Sequence, residues 1–154
     1  MVESRKVQTV QEALDGLSGT QNLLIHTCRG AGKSTAIAKA TQRADLGTVG
    51  VFAPNRFMAE ELQRKAGPKS EATFLAADHK EACVGWSFDT VLVDEPGLIP
   101  EKDMQNIIGA MCYAKRVALV GSPNPAPKPG KEPEWFQRAY ESGVWDNIHV
   151  PSAP

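Results

Sequence analysis

Short continuous apolar runs alternate along this chain with longer segments in which apolar positions recur every three or four residues. Val7, Val10, Ala13, Leu14 and Leu17 fall at helical spacing and predict a helix within 5–18, with Gly16 and Gly19 marking its exit. Residues 22–27 form a compact apolar run suited to a buried strand. A helix over 33–43 follows, with Ala36, Ile37 and Ala40 on one face. Residues 48–53 predict a second strand, stopped by Pro54, and 55–65 a helix carrying Phe57, Met58 and Leu62, closed by Gly67-Pro68. A short third strand is expected at 73–76. A fourth, rich in β-branched residues, spans 89–94. An amphipathic helix is predicted over 101–112 behind Pro100, and a fifth strand over 116–121. Continuous apolar strands alternating with helices imply a parallel sheet covered on both faces. The expected class is α/β, with about five strands and one domain over 1–154.

The C-terminal part departs from this pattern. Seven of the eleven prolines lie after residue 122, four of them alternating within 122–130. Such a stretch favours extended backbone and cannot continue a helix or a central strand. Its place after the fifth strand makes the proline-rich segment 122–133 a candidate lining of whatever site that strand end builds. A last helix is expected at 133–140, packing Trp135, Phe136 and Tyr140 inward.

Composition narrows the function classes. No apolar run approaches the roughly 20 residues that span a bilayer, and the polar N-terminus lacks the apolar core of a signal peptide. The expected partners exclude a membrane, and the expected compartment is the cytoplasm, the host's if the chain is viral. Three widely spaced cysteines (Cys28, Cys83, Cys112) do not suggest a disulfide framework, and Cys28 reads as a small apolar residue. His26, His79 and His149 lack metal-ligand spacing. Net charge is −1, with ten Lys/Arg against seven Asp/Glu in 1–77 and seven against eleven in 78–154. That is not the basic footprint of a self-sufficient DNA-binding domain. DNA contact would have to come from a local patch, a ring of subunits or another domain.

The chemistry concentrates at 27–35, Thr-Cys-Arg-Gly-Ala-Gly-Lys-Ser-Thr, between a predicted strand and a predicted helix. Gly32-Lys33-Ser34 fits the end of a Walker A phosphate loop, whose first glycine is replaced by Thr27. Gly30 and Gly32 allow the tight turn that aims successive backbone N–H groups at phosphates, and the helix N-terminus adds favourable potential for anions. The expected nucleotide-binding set is Thr27, Cys28, Arg29, Gly30, Ala31, Gly32, Lys33, Ser34 and Thr35. Lys33 is suited to the β- and γ-phosphates, Ser34 to Mg²⁺, and Thr35 to the helix start. Further on, Thr-Val-Leu-Val-Asp-Glu (90–95) is an apolar strand ending in two acids, the Walker B form. There Asp94 would hold Mg²⁺ and Glu95 would activate the attacking water. Pro96 disfavours a helical backbone at Glu95 and predicts an extended one. No guanine-reading Asn/Thr-Lys-x-Asp motif occurs, so ATP is preferred to GTP.

Those residues carry a resemblance. The segment 26–34, with Arg29 before Gly30, resembles the Arg-Gly-Ser-Gly-Lys-Ser loop of phage terminase large subunits, which often lack the first Walker glycine. Ala53-Pro54-Asn55-Arg56 is similar to the segment after the second strand in terminases and helicases. Ser122-Pro123-Asn124-Pro125, with Glu134-Trp135-Phe136, resembles the terminase coupling motif and its continuation, and 145–151 resembles the stretch beyond. The resemblance implies a RecA/terminase-like P-loop NTPase fold and ATP hydrolysis with Mg²⁺, coupled to movement of double-stranded DNA into a capsid. It also implies a homo-oligomeric ring, a portal, a small terminase subunit, and a nuclease domain or subunit that this sequence does not contain. Lys33, Glu95 and Arg29 would be catalytic, Ser34 and Asp94 would hold the metal, and Ser122 and Asn124 would couple. Arg29 could equally anchor the loop to a carboxylate. A trans-acting arginine is expected among Arg43, Arg56, Arg64, Arg116 and Arg138.

Two other readings use the same residues. Superfamily-one helicases share Gly-Lys-Ser/Thr and Asp-Glu, but 120–125 lacks the Asp and Gln of their Val-Gly-Asp-x-x-Gln motif, and no second RecA-like domain fits in the chain. A nucleotide-binding assembly module with negligible turnover would not require Glu95.

Overall fold

Side-chain caps decide where helices begin. The structure, a computed structural model, describes residues 4–27, 32–122 and 135–151. Thr9 sits in an extended conformation and its hydroxyl accepts from Glu12 N at 3.0 Å, so helix α1 (Val10–Asp15) starts only there. The preceding residues are therefore available for pairing, and Arg5–Lys6 forms strand β1, not the start of a helix. Asn55 plays the same capping role for α3 (Arg56–Ala66), accepting from Met58 N at 3.0 Å.

The remaining elements, in chain order, are β2 (Gln21–Thr27), α2 (Lys33–Ala40), β3 (Val49–Ala53), β4 (Thr73–Ala76), α4 (Lys80–Cys83), β5 (Thr90–Asp94), α5 (Glu101–Met104), α6 (Ile108–Tyr113), β6 (Arg116–Gly121), α7 (Trp135–Ser142) and β7 (Asp146–Val150). The helix expected over 101–112 is broken in two. Asn106 donates its side-chain amide to Ala77 O at 2.8 Å, and Ile107 N turns back to Met104 O at 3.1 Å, which tightens the chain between α5 and α6.

The strands form one seven-stranded sheet in the order β1-β7-β2-β6-β5-β3-β4, and all six pairings are parallel. Five of these strands follow the apolar runs, while β1 and β7 extend the sheet beyond β2. Alternation along the strands splits the core between two faces. Leu23, Ile25, Val51, Leu92 and Val120 pack with α1, α2 and α3. Leu24, Phe52, Val91, Val93 and Leu119 pack with α4, α5, α6 and Phe136 of α7. Burial of this kind is what makes a core Leu→Ala change cost about 2–5 kcal/mol. In α3 the buried stripe is Ala59, Leu62 and Ala66, and Phe57 lies 65% exposed. In α7 Phe136 is buried, whereas Trp135 and Tyr140 are only half-buried. Among the described residues no helix is long and apolar enough to cross a membrane.

Candidate nucleotide-binding site

In a parallel sheet the strand ends that carry loops into helices all lie on one edge, and clefts form where neighbouring strands send their chains apart. Here β6 lies between β2 and β5, with His26 opposite Gly121 and Asp94 opposite Val120. The end of β2 and the acidic end of β5 therefore flank β6, which leads into Ser122. Gly32 caps α2 with φ +78°, a conformation that glycine adopts without strain. Cys28, Arg29, Gly30 and Ala31 lie outside the described residues, as does Asn124.

Lys33, Glu95 and Ser122 form one connected cluster. Lys33 Nζ is ion-paired with Glu95 Oε1 and donates to Ser122 Oγ at 2.9 Å. Ser122 in turn donates its hydroxyl to Glu95 Oε1 at 3.3 Å and its backbone N–H to Oε2 at 3.5 Å. Both charged side chains are largely buried. Ser122, marked by sequence only through the coupling motif, thus touches both the phosphate-loop lysine and the expected base.

Glu95 reaches this position by an unexpected backbone. Its φ of 48° and ψ of 58° place it in the left-handed region, the only non-glycine residue with positive φ among those described. The extended conformation anticipated from Pro96 is not adopted. Proline disfavours the right-handed helical region for the preceding residue, and the sharp left-handed turn lets Pro96 start a 3₁₀ turn (Pro96–Leu98) while Glu95 N bonds to Val120 O at 2.9 Å. Such a conformation costs on the order of 1–3 kcal/mol and persists where surrounding structure over-determines it. Pro96 packs so closely on β6 that a Cβ at Gly121 would lie 2.9 Å from its Cδ.

Asp94 is 2% exposed, and its Oδ1 has no hydrogen-bond partner among the described residues. Burial, reinforced by the Glu95 charge, pushes its pKa up to about 6, although Lys33 and Lys65 pull the other way. A buried carboxylate oxygen without a donor is chemically suited to a cation. Ser34 lines the same cavity, so the residues present fit a divalent ion held by Ser34 and Asp94. Thr27, at the last position of β2, is also buried, and its hydroxyl has no partner among the described residues.

The cavity that joins these groups has a volume of about 350 Å³. Gly32, Lys33, Ser34 and Thr35 form one wall and Asp94 and Glu95 another, with Met58 and Lys65 of α3 and Leu98 completing it. Lys65 was not anticipated from sequence. The available signal was its spacing of seven from Met58, which puts both on one face of α3.

The arginines considered for action on a neighbouring subunit divide by place. Arg43 donates to Leu14 O, Leu17 O and Asp45, and Arg116 to Leu46 O and Thr90 Oγ1. Both brace the sheet edge opposite the site. Arg56 pairs with Glu60, Arg64 bonds to Glu60 O, and Arg138 pairs with Glu101.

The AAA domain family matches residues 6–140, which include every element of this site. The chain belongs to the AAA domain family. No curated protein sequence matches it. Among solved structures, the large terminase ATPase domain of Thermus phage P74-26 superposes on this AAA domain with a TM-score of 0.58 at 16% identity, covering 94% of this chain and 80% of that one. An arginine-to-alanine variant of the same domain gives 0.54 at 15% identity over 96% and 81%. The large terminase of a second, thermophilic bacteriophage gives 0.55 at 11% identity, over 90% of this chain but 41% of that protein. At these identities the likeness is one of fold, and the fold is that of the terminase ATPase domain, as the sequence resemblance implied.

Proposed function

We propose that this AAA domain is a Mg²⁺-dependent ATPase that acts as the motor of double-stranded DNA translocation. The observation that carries the reading is the convergence of Lys33, Ser122 and Glu95 beside Asp94, whose Oδ1 has no hydrogen-bond partner among the described residues, all at one strand edge. A structural ion pair would not need the second, desolvated acid next to it.

In this mechanism Lys33 exchanges its contacts with Glu95 and Ser122 for the β- and γ-phosphate oxygens. Ser34 and Asp94 hold the Mg²⁺, which when bound offsets phosphate charge. Released from Lys33, Glu95 accepts a proton from the attacking water as its oxygen bonds to the γ-phosphorus and the bond from that phosphorus to the bridging oxygen breaks. ADP leaves with the bridging oxygen. Ser122, bonded to both Lys33 and Glu95, transmits the exchange to the chain after β6, which is the basis of its coupling role, shared with Asn124. Arg29 serves the γ-phosphate or a neighbouring subunit.

By the same reading the working assembly is a homo-oligomeric ring acting with a portal, a small terminase subunit and a nuclease domain or subunit. The test is steady-state ATPase activity with and without double-stranded DNA. Stimulation by double strands is the expected result. Stimulation by single strands alone, accompanied by unwinding, would replace the packaging reading with a helicase one. Nucleotide binding with no turnover under any of these conditions would leave an assembly module.

A further inference from the structure

Lys65 is a cation on the wall of the nucleotide cavity that the mechanism above does not use. It lies in the last turn of α3, and its side chain lines the same space as Lys33, Ser34, Asp94 and Glu95. Side chains on a helix lean toward its N-terminus, which at α3 is the end nearest the strand edge where the site is built. α3 also packs along α2, so the face bearing Met58 and Lys65 is directed at the start of the phosphate-loop helix. Lys65 forms no salt bridge among the described residues, whereas Lys33 is committed to Glu95 and Ser122. Its charge is close enough to Asp94 to favour the ionised carboxylate.

We propose that Lys65 is a second phosphate-binding residue, reaching from α3 to the terminal phosphate and so favouring nucleoside triphosphate over diphosphate. The inference rests on the reading of this cavity as an ATP site. Its physical basis is charge balance. Among the described lining residues are two carboxylates and a lysine already engaged by one of them, and Lys65 adds positive charge for a polyanion beyond that of Lys33 and a bound Mg²⁺. Being exposed, it is also placed to enter and leave as the terminal phosphate comes and goes. A solvated lysine whose only task is to keep α3 soluble would have no preference between the two nucleotides.

The test is calorimetric titration of the full chain with ATP and with ADP, each with Mg²⁺, for wild type, Lys65→Ala, Lys65→Arg and Lys65→Glu. Losing a charge-assisted contact lowers ATP affinity of Lys65→Ala by about tenfold, ADP affinity falls by less, and Lys65→Arg restores most of the preference. Lys65→Glu weakens ATP further. Lys69→Ala, which removes an exposed lysine outside the cavity, serves as the control and leaves both affinities unchanged. An equal loss for ATP and ADP, or unchanged affinities in Lys65→Ala, overturns the assignment while leaving the ATP site intact. Wild type that binds neither nucleotide overturns the ATP reading itself, and Lys65 with it.

Discussion

Strand β5 is bounded by an aspartate at each end, and the two could hardly be treated more differently. Asp89, just before the strand, accepts from Thr48 N at 2.9 Å and from Thr48 Oγ1 at 3.2 Å, and pairs with Lys115 at 3.8 Å. Those hydrogen bonds from Thr48 hold its carboxyl below the usual range. Asp94, at the strand's other end, is buried with one oxygen left without a donor among the described residues, and its pKa is raised to about 6. The first acid closes the edge between β3 and β5. The second is kept in a costly ionised state that a bound cation or a proton would relieve. Polar satisfaction at one end and its denial at the other separate scaffold from site more clearly than residue type does.

Substitutions at the two ends should separate accordingly. The largest effect is expected at Asp94→Asn, which should lower ATP turnover by on the order of 10²-fold or more by removing a group that organises charge at the phosphates. Turnover in Asp89→Ala should stay near wild type. Comparable losses in both would erase the distinction.

Stability should show the opposite signs. Because the folded pKa of Asp94 is raised, the native state binds a proton more readily than the unfolded chain between pH 3.8 and about 6. Stability from this group therefore falls as pH rises through that window, and the penalty is complete above it. The shift from 3.8 to about 6 corresponds to on the order of 3 kcal/mol. Urea unfolding of Asp94→Asn in EDTA, without nucleotide, should find it more stable than wild type at pH 8, with the advantage shrinking toward pH 4. A variant less stable at every pH would contradict the unpaired, desolvated state of Asp94.

The smallest effect belongs to Asp89→Ala. Its folded pKa is depressed, so its contribution is present above the ordinary aspartate value and is lost as pH falls below it. Thermal unfolding at pH 7 should show a fall of a few degrees, fading on acidification. A fall that persisted unchanged in acid would point to packing in place of the hydrogen bonds from Thr48.

The contrast also explains what could be read before the structure. Residues 90–95 were legible because an apolar strand ending in paired acids is both a burial pattern and a chemical one, and Gly32-Lys33-Ser34 was legible for the same reason. β7 was not, since Asn147 and His149 interrupt Ile148 and Val150 and the run carries no continuous apolar signal. β1 is two residues long and paired only with β7, so nothing local could announce it. The left-handed backbone of Glu95 is set by the packing of Pro96 on Gly121 and the bond to Val120, which are tertiary facts. Ser122 was found by resemblance alone; its place between Lys33 and Glu95 follows from β6 lying between β2 and β5, a strand order that periodicity does not encode. Lys65 reads as any exposed polar residue of an amphipathic helix, and only the fold puts it on the cavity wall.

The proposed function makes the Lys33–Ser122–Glu95 cluster a hydrolytic site with Glu95 as its base. The most direct measurement is ATP turnover and ATP affinity of Glu95→Gln beside wild type at saturating Mg²⁺. With Glu95 as the base, kcat falls by about 10²–10⁴-fold while ATP still binds. Equal turnover in the two proteins would contradict it.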